Sequence, residues 1–258
     1  MRFAFTLALM PVVLTAQNFD TLTVKATALQ GGVYVITGAG GNIGLSTGKD
    51  MAFLVDDQYA PLTPKLLAAV TSVTAQPIKF VINTHWHFDH TGGNENVGRA
   101  GALLVAHDNV RKRLSTGGLI EYFKRTDPPA PPGALPIVTF TDSATFHVND
   151  DDIVAFHTSP GHTDGDVIVH FTKANVVHMG DAFVVARYPF VDLSSGGNIN
   201  GIVEAADRVL SFCDPQMKII PGHGASVSDC ACNKPGTGFV AVRRSISRDL
   251  AATLVASK

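Results

Sequence analysis

The feature that most constrains this chain is a junction. The short apolar run Lys79-Phe80-Val81-Ile82-Asn83 leads, across Thr84, into His85-Trp86-His87-Phe88-Asp89-His90. Before it, Pro61 to Ala75 carries apolar residues at helical spacing, at Leu62, Leu66, Leu67 and Val70. A helix followed by a buried strand is the signature of an α/β fold. The histidine cluster then falls on a loop at the strand's C-terminal end.

The rest of the chain repeats this logic. Val33–Thr37 and Met51–Val55 read as two buried strands joined by Gly38–Gly44, a glycine hairpin expected to have a mobile tip. Those glycines do not match G-x-G-x-x-G, and a strand follows them, so they are not a dinucleotide loop. After the cluster come a short helix from Gly92, a strand over Ala102–Ala106 and a helix over Asp108–Leu114. The proline-rich stretch Thr126–Pro136 cannot be regular helix or central strand, because proline lacks the amide donor. It reads as a surface loop. Strands are then expected over Ile137–Phe140, Ala144–Val148, Asp152–Thr158, Asp166–Phe171 and Val176–His178. A helix over Asn200–Phe212 and a strand over Met217–Ile220 follow, ending at the turn Pro221-Gly222-His223-Gly224.

The chain has 258 residues, 45% of them hydrophobic and 16% charged, which suits one well-cored domain over residues 17–258. A formal net charge of -2 leaves no bulk basic field for nucleic acid. Residues 1–16, with Arg2 ahead of the apolar run Phe3–Leu14, read as a secretory signal peptide. That run falls short of the ~20 residues needed to span a bilayer. No cysteine follows it to anchor a lipid, so a periplasmic or secreted protein without a stable membrane anchor is expected. Cys213, Cys230 and Cys232 allow at most one disulfide, and neighbours as close as Cys230 and Cys232 pair only under strain. They are read as free thiols.

Histidine nitrogens and carboxylate oxygens are the ligands of catalytic zinc, which keeps an open position for water. His85 and His87, two apart in extended chain, share one face and can grip a single ion, while Asp89 and His90 begin the next turn and can serve a second. Three further candidates sit at strand-ending turns with glycine beside them: His162 in Pro160-Gly161-His162, Asp181 in Met179-Gly180-Asp181, and His223. Asn83 and Thr84 either fix histidine tautomers or serve the strand end. His107, His147, His157, His170 and His178 fall outside these turns and read as structural.

The His-x-His-x-Asp-His segment, then Gly-His, Gly-Asp and Gly-His-Gly, over roughly Val33 to Gly224, resembles the metallo-β-lactamase superfamily. The resemblance implies a four-layer αβ/βα sandwich with two zinc ions between the ends of its sheets. It puts His85, His87 and His162 on metal one, Asp89, His90 and His223 on metal two, and Asp181 between them. It implies hydrolysis of a small-molecule carboxylic-acid derivative (lactam, lactone, ester or thioester) by a metal-activated water that Asp89 orients, without a serine or cysteine nucleophile.

Dedicated β-lactamases of the family usually carry Cys or Ser where this chain has Asp181, whereas its thioesterases and lactonases carry Asp. The export signal, in turn, suits an enzyme that meets antibiotics. A β-lactamase therefore stays open, as do a mononuclear-iron persulfide dioxygenase, which shares the histidine motif, and a non-catalytic binding protein. RNA-processing relatives need an extra domain for which this chain has no room. Arg187 and Tyr188, leading away from Asp181, are candidates to bind the substrate. The tail departs from the family: Ala225–Gly238 is unlike the polar helical lead-in expected, and Val240–Val255 then reads as helix, with Arg243, Arg244 and Arg248 on a solvated face.

Overall fold

A computed structural model describes residues 18–185, 188–224 and 228–229. The leader, Arg187, Cys230, Cys232 and the C-terminal helix expected over Val240–Val255 lie outside the described residues.

Strands β1 (Lys25–Ala28), β2 (Val33–Thr37), β3 (Ile43–Thr47), β4 (Ala52–Val55), β5 (Ile78–Ile82) and β6 (Leu103–His107) lie side by side in chain order. A separate two-stranded hairpin, β7 (Gly118–Ile120) and β8 (Arg125–Asp127), comes next, and β9 (Val138–Phe140) then completes the first sheet at the edge of β6. The second sheet runs in order through β10 (Ser143–Val148), β11 (Asp151–His157), β12 (Val167–Phe171), β13 (Val176–His178), β14 (Lys218–Ile220) and β15 (Ser228–Asp229). Strands β4, β5, β6 and β9 are parallel, as are β13 and β14; the other neighbours are antiparallel.

Side-chain alternation along the strands explains the layering. Val33, Val35, Phe53, Val55 and Ile82 point inward to meet Ile153, Val167, Val169, Phe171 and Ile220 of the second sheet. Their neighbours Ile36, Ile43, Leu45, Leu54 and Val81 point outward, against Leu66 and Val70 of α1 (Thr63–Thr71) and Val97 of α3 (Asn94–Arg99), which follows the single-turn α2 (Phe88–Thr91). Val110 and Leu114 of α4 (Asp108–Thr116) pack with Trp86 and Ile120. On the far face of the second sheet, Phe156, Ile168, Val177 and Ile219 bury Ile202, Ala205 and Val209 of α5 (Ile199–Leu210). The result is helix, sheet, sheet, helix. Strands buried on both faces read as unbroken apolar runs, which is why the sequence announced them.

Five expectations need correction. The segment Gly38–Gly44 does not join two paired strands; it holds a five-residue loop and the start of β3, and β4 pairs with β3 rather than β2. Nor is that loop a free tip, since Gly41 N donates to Asp89 O at 3.1 Å and Asn42 N to Gly222 O at 2.7 Å. The helix expected to reach Ala75 ends at Thr71, short of Pro77. The proline-rich loop begins inside β8, so part of it is strand. Cys213 is disulfide-bonded rather than free.

Candidate metal centre

The site forms where both sheets end. Strand β5 delivers Asn83 and Thr84, then His85, whose backbone passes into α2 with His87 as the preceding cap residue. Asp89 and His90 occupy the single turn of α2. His162 sits on the connection between β11 and β12, Asp181 on the 3-10 turn after β13, and His223 just beyond β14. Ligand sites in α/β proteins lie at such C-terminal strand ends, where loops converge without breaking a sheet.

The seven candidate ligands come together. The ligand atoms of His85, His87 and His162 lie within 4.8 Å of one another, and so do those of Asp89, His90 and His223. Asp181 groups with one member of each set, His85 and His90. Its Oδ1 is 3.2 Å from His90 Nε2, while its Oδ2 is 3.3 Å from His223 Nε2 and 3.7 Å from His162 Nε2. Asp89 Oδ2 lies 3.2 Å from His223 Nε2. Two glycines make room: a Cβ on Gly41 would stand 2.2 Å from the His90 ring, and one on Gly222 2.0 Å from Asp181 Oδ1.

Among the described residues, each histidine of the first two groups except His223 has its remote nitrogen engaged. Thr84 Oγ1 lies 3.0 Å from His85 Nδ1, and Asp56 Oδ2 2.7 Å from His90 Nδ1. Asp192 Oδ2 lies 3.0 Å from His87 Nε2, and the carbonyl of Phe190 accepts from His162 Nδ1 at 2.6 Å. Such partners fix the tautomer and aim the other nitrogen inward. Thr84 thus takes the orienting role weighed for it, while Asn83 pairs with Asn94 instead.

One atom tests whether a cation fits. Among the described residues His85 Nε2 is buried without a hydrogen-bond partner, although a buried polar group left unpaired costs on the order of 1–3 kcal/mol. Burial lowers His85 well below the ordinary histidine range, and lowers His162 to about 4, so both are neutral, ligand-ready imidazoles. Burial also works to lower His90 and to raise Asp181. For His90 the neighbouring Asp181, Asp89 and Asp56 outweigh it and hold the imidazole well above its usual range. For Asp181 the attraction of His90 and His223 does so and holds the carboxyl well below its own. A site this rich in carboxylate draws positive charge, and its N/O donor set is that of a borderline divalent metal.

That geometry agrees with the sequence comparison. The model of the metallo-beta-lactamase superfamily matches residues 28–254. The chain belongs to this superfamily. It is a metal-dependent hydrolase of that fold. Among curated relatives it is 22% identical over 208 residues to acyl-coenzyme A thioesterase MBLAC2 of Bos taurus, covering 74% of this chain and 72% of the relative. It is 26% identical over 187 residues to atrochrysone carboxyl ACP thioesterase of Aspergillus terreus, covering 72% of this chain and 49% of the relative. The solved metallo-beta-lactamase from Pontibacter korlensis superposes with a TM-score of 0.64 at 21% identity, covering 80% of this chain and 94% of that one.

A cleft of about 1010 Å³ opens over the superfamily's metal site. His87, Asp89, His162, Asp181 and His223 form its floor, and Tyr188 lines its side. The remaining histidines stand apart. His178 uses both nitrogens, towards Asn42 O at 3.0 Å and from Gly180 N at 3.1 Å; His107 stacks on His157, and His170 on Phe212. His147 pairs with Asp152.

Sequence reasoning missed Asp56 and Asp192. Asp56 carried a signal: two acids, Asp56 and Asp57, directly follow a fully buried strand, where a charge persists only with a partner. Asp192 lies in an unremarkable loop and carried none beyond the serines that follow it.

Proposed function

We propose that the protein is a two-zinc hydrolase of carboxylic-acid derivatives, with thioesters and esters as its preferred class. The observation that carries this reading is the placement of Asp181, one carboxylate within 3.2 Å of His90 and 3.7 Å of His162, so that it serves both ligand sets. In the family pattern, aspartate at that position goes with ester-type rather than β-lactam chemistry. Both curated relatives named above are thioesterases.

His85, His87 and His162 would hold one zinc, Asp89, His90 and His223 the other, and Asp181 both. When bound, such a pair supplies Lewis acidity and a water that ionises near neutral pH. This chain's residues do the rest. Asp56, Asp192, Thr84 and the Phe190 carbonyl keep the imidazoles in the ligating tautomer. Asp89 presents a second carboxylate oxygen to orient the attacking water, and Tyr188 meets the substrate at the cleft wall. The leader read in residues 1–16 supports export of the mature domain, 17–258, to the periplasm or medium, and N-terminal sequencing of the exported protein tests that reading.

The deciding experiment assays zinc-loaded protein side by side on a thioester, a lactone and the cephalosporin nitrocefin, with metal content measured. Thioester turnover with about two zinc per chain, lost in His87→Ala, is the expected result. No turnover on any of the three, with His87→Ala indistinguishable from the parent, sinks the hydrolase reading. One iron and no zinc points instead to oxidation.

A further inference from the structure

Resting on that hydrolase reading, we infer that the β7–β8 hairpin is the acyl-recognition element, and that the enzyme selects substrates with a medium-chain or aryl acyl group.

The hairpin carries its apolar groups at the tip. Tyr122 and Phe123 lie on a 3-10 turn closed by Lys124 in the left-handed conformation, and they are 76% and 59% exposed. Their ring centroids are 5.0 Å apart, and each is 5.2 Å from Phe190. Phe190 is in turn a neighbour of the metal centre: its ring lies 6.5 Å from that of His87, at an interplanar angle of 25°, and its carbonyl holds His162. The three rings therefore form a continuous apolar track from the two ligands of the first set out to solvent.

Large aromatic rings left exposed at the mouth of a cleft lose unfavourable hydration only when something apolar covers them. The hairpin is held for that purpose at both ends. The Arg125 guanidinium lies 3.3 Å above the Phe88 ring and bonds Asp127 Oδ1 at 2.5 Å, while Glu121 N donates to Ser194 Oγ at 3.1 Å.

Charge decides which half of a substrate takes this wall. Carriers of activated acyl groups are polar thiols or alcohols, and the ring track of Tyr122, Phe123 and Phe190 offers them no charge. Arg125, the one lysine or arginine among the described residues lining the cleft, already pairs with Asp127. The apolar half of such a substrate is its acyl chain. The cleft, at about 1010 Å³, holds far more than an acetyl group and matches the upper range of pockets for drug-sized ligands. In the reaction, water adds to the acyl carbon, the C–S or C–O bond breaks, and the carrier leaves with a proton while the acid stays on the aromatic side.

The test uses zinc-loaded full chain and p-nitrophenyl esters of acetate, butyrate, hexanoate and phenylacetate, so that the leaving group is constant. With about fourfold gained per fully buried CH2, a half-covered chain of four extra carbons predicts a hexanoate preference over acetate on the order of tenfold in kcat/KM. The double variant Tyr122→Ala/Phe123→Ala is expected to flatten that ratio to within about threefold, and Tyr122→Phe to keep it. Calorimetric binding of hexanoate against acetate, both product acids, gives a readout independent of turnover and is expected to show the same preference and the same loss. Ester turnover with an unchanged hexanoate-to-acetate ratio in the double variant overturns this inference and leaves the hydrolase standing. Absence of ester turnover in the parent leaves the hydrolase reading to the thioester, lactone and nitrocefin assay, and the hexanoate binding comparison then decides the wall.

Discussion

Replacing Asp192 by asparagine isolates how the fold aims a metal ligand. The carboxylate is 1% exposed; Oδ2 receives His87 Nε2–H at 3.0 Å and the Ser195 hydroxyl, while Oδ1 receives the Ser194 hydroxyl and Ser195 N–H at 3.2 Å. Burial works to raise this carboxyl, and the bonds from His87, Ser194 and Ser195 outweigh it, so it is ionised and accepts four hydrogen bonds. Asparagine has one acceptor oxygen. If its NH2 faces His87, two donors confront each other, and the imidazole must move its proton to Nδ1, the nitrogen that faces His162 Nε2 at 2.9 Å. If the NH2 faces the other way, it meets the Ser195 N–H, which cannot rotate. Losing a hydrogen bond to a charged group costs about 1.5–3 kcal/mol, or roughly ten- to 150-fold in a binding constant. Orienting partners of metal-bound histidines, measured directly, give about ten- to a hundredfold. The two routes agree. Zinc competition against a chromophoric chelator is the assay, with Asp192→Ala alongside. An Asp192→Asn protein that holds its first metal with the parent's affinity would falsify the claim that Asp192 sets the His87 tautomer.

Three further outcomes are expected. Gly41→Ala places a Cβ 2.2 Å from a His90 ring that Asp56 holds at 2.7 Å, so it should lower metal affinity by about ten- to a hundredfold with far-UV circular dichroism unchanged; unaltered metal content refutes the crowding argument. Chelation should lower the Tm by about 5 to 11 °C for each ion present at a hundredfold over its dissociation constant, and a Tm indifferent to chelator would show that the fold does not depend on them. Burial holds His170 below the ordinary histidine value, so below about pH 6.5 the unfolded chain binds a proton the native state lacks, and stability falls as pH falls. His170→Phe, which keeps the stack on Phe212, should narrow the difference between urea midpoints at pH 7.5 and 5.5, and an equal difference in both proteins counts against the assignment.

What the sequence disclosed follows from how local each signal is. Strands such as Ala52–Val55 and Val167–Phe171 are buried on both faces and need no partner to be recognised. Strand β3 was lost because Ile43-Gly44-Leu45-Ser46-Thr47 opens among glycines and spaces its apolar residues with small ones. The β7–β8 hairpin was lost beside the prolines, since three-residue strands carry too little pattern to register. At the site, ligands within one hexapeptide were legible as a cluster. Asp56 and Asp192 act on His90 and His87 from 34 and 105 residues away, and only the folded chain brings them there.

The distance between His90 and His223 along the chain, 133 residues, also sets an order of events during synthesis. At ribosomal rates of 5–20 residues per second, the first ligand cluster leaves the ribosome on the order of ten seconds before the last ligand exists. During that interval His85, His87, Asp89 and His90 form an incomplete chelate, open to whatever ion is abundant. A complete ligand set therefore forms late, when Pro221 and Gly222 dock against Asn42, whose side chain reaches the Pro221 carbonyl at 2.9 Å. The loop that follows β2 thus ties the last histidine to the sheet that carries the first cluster.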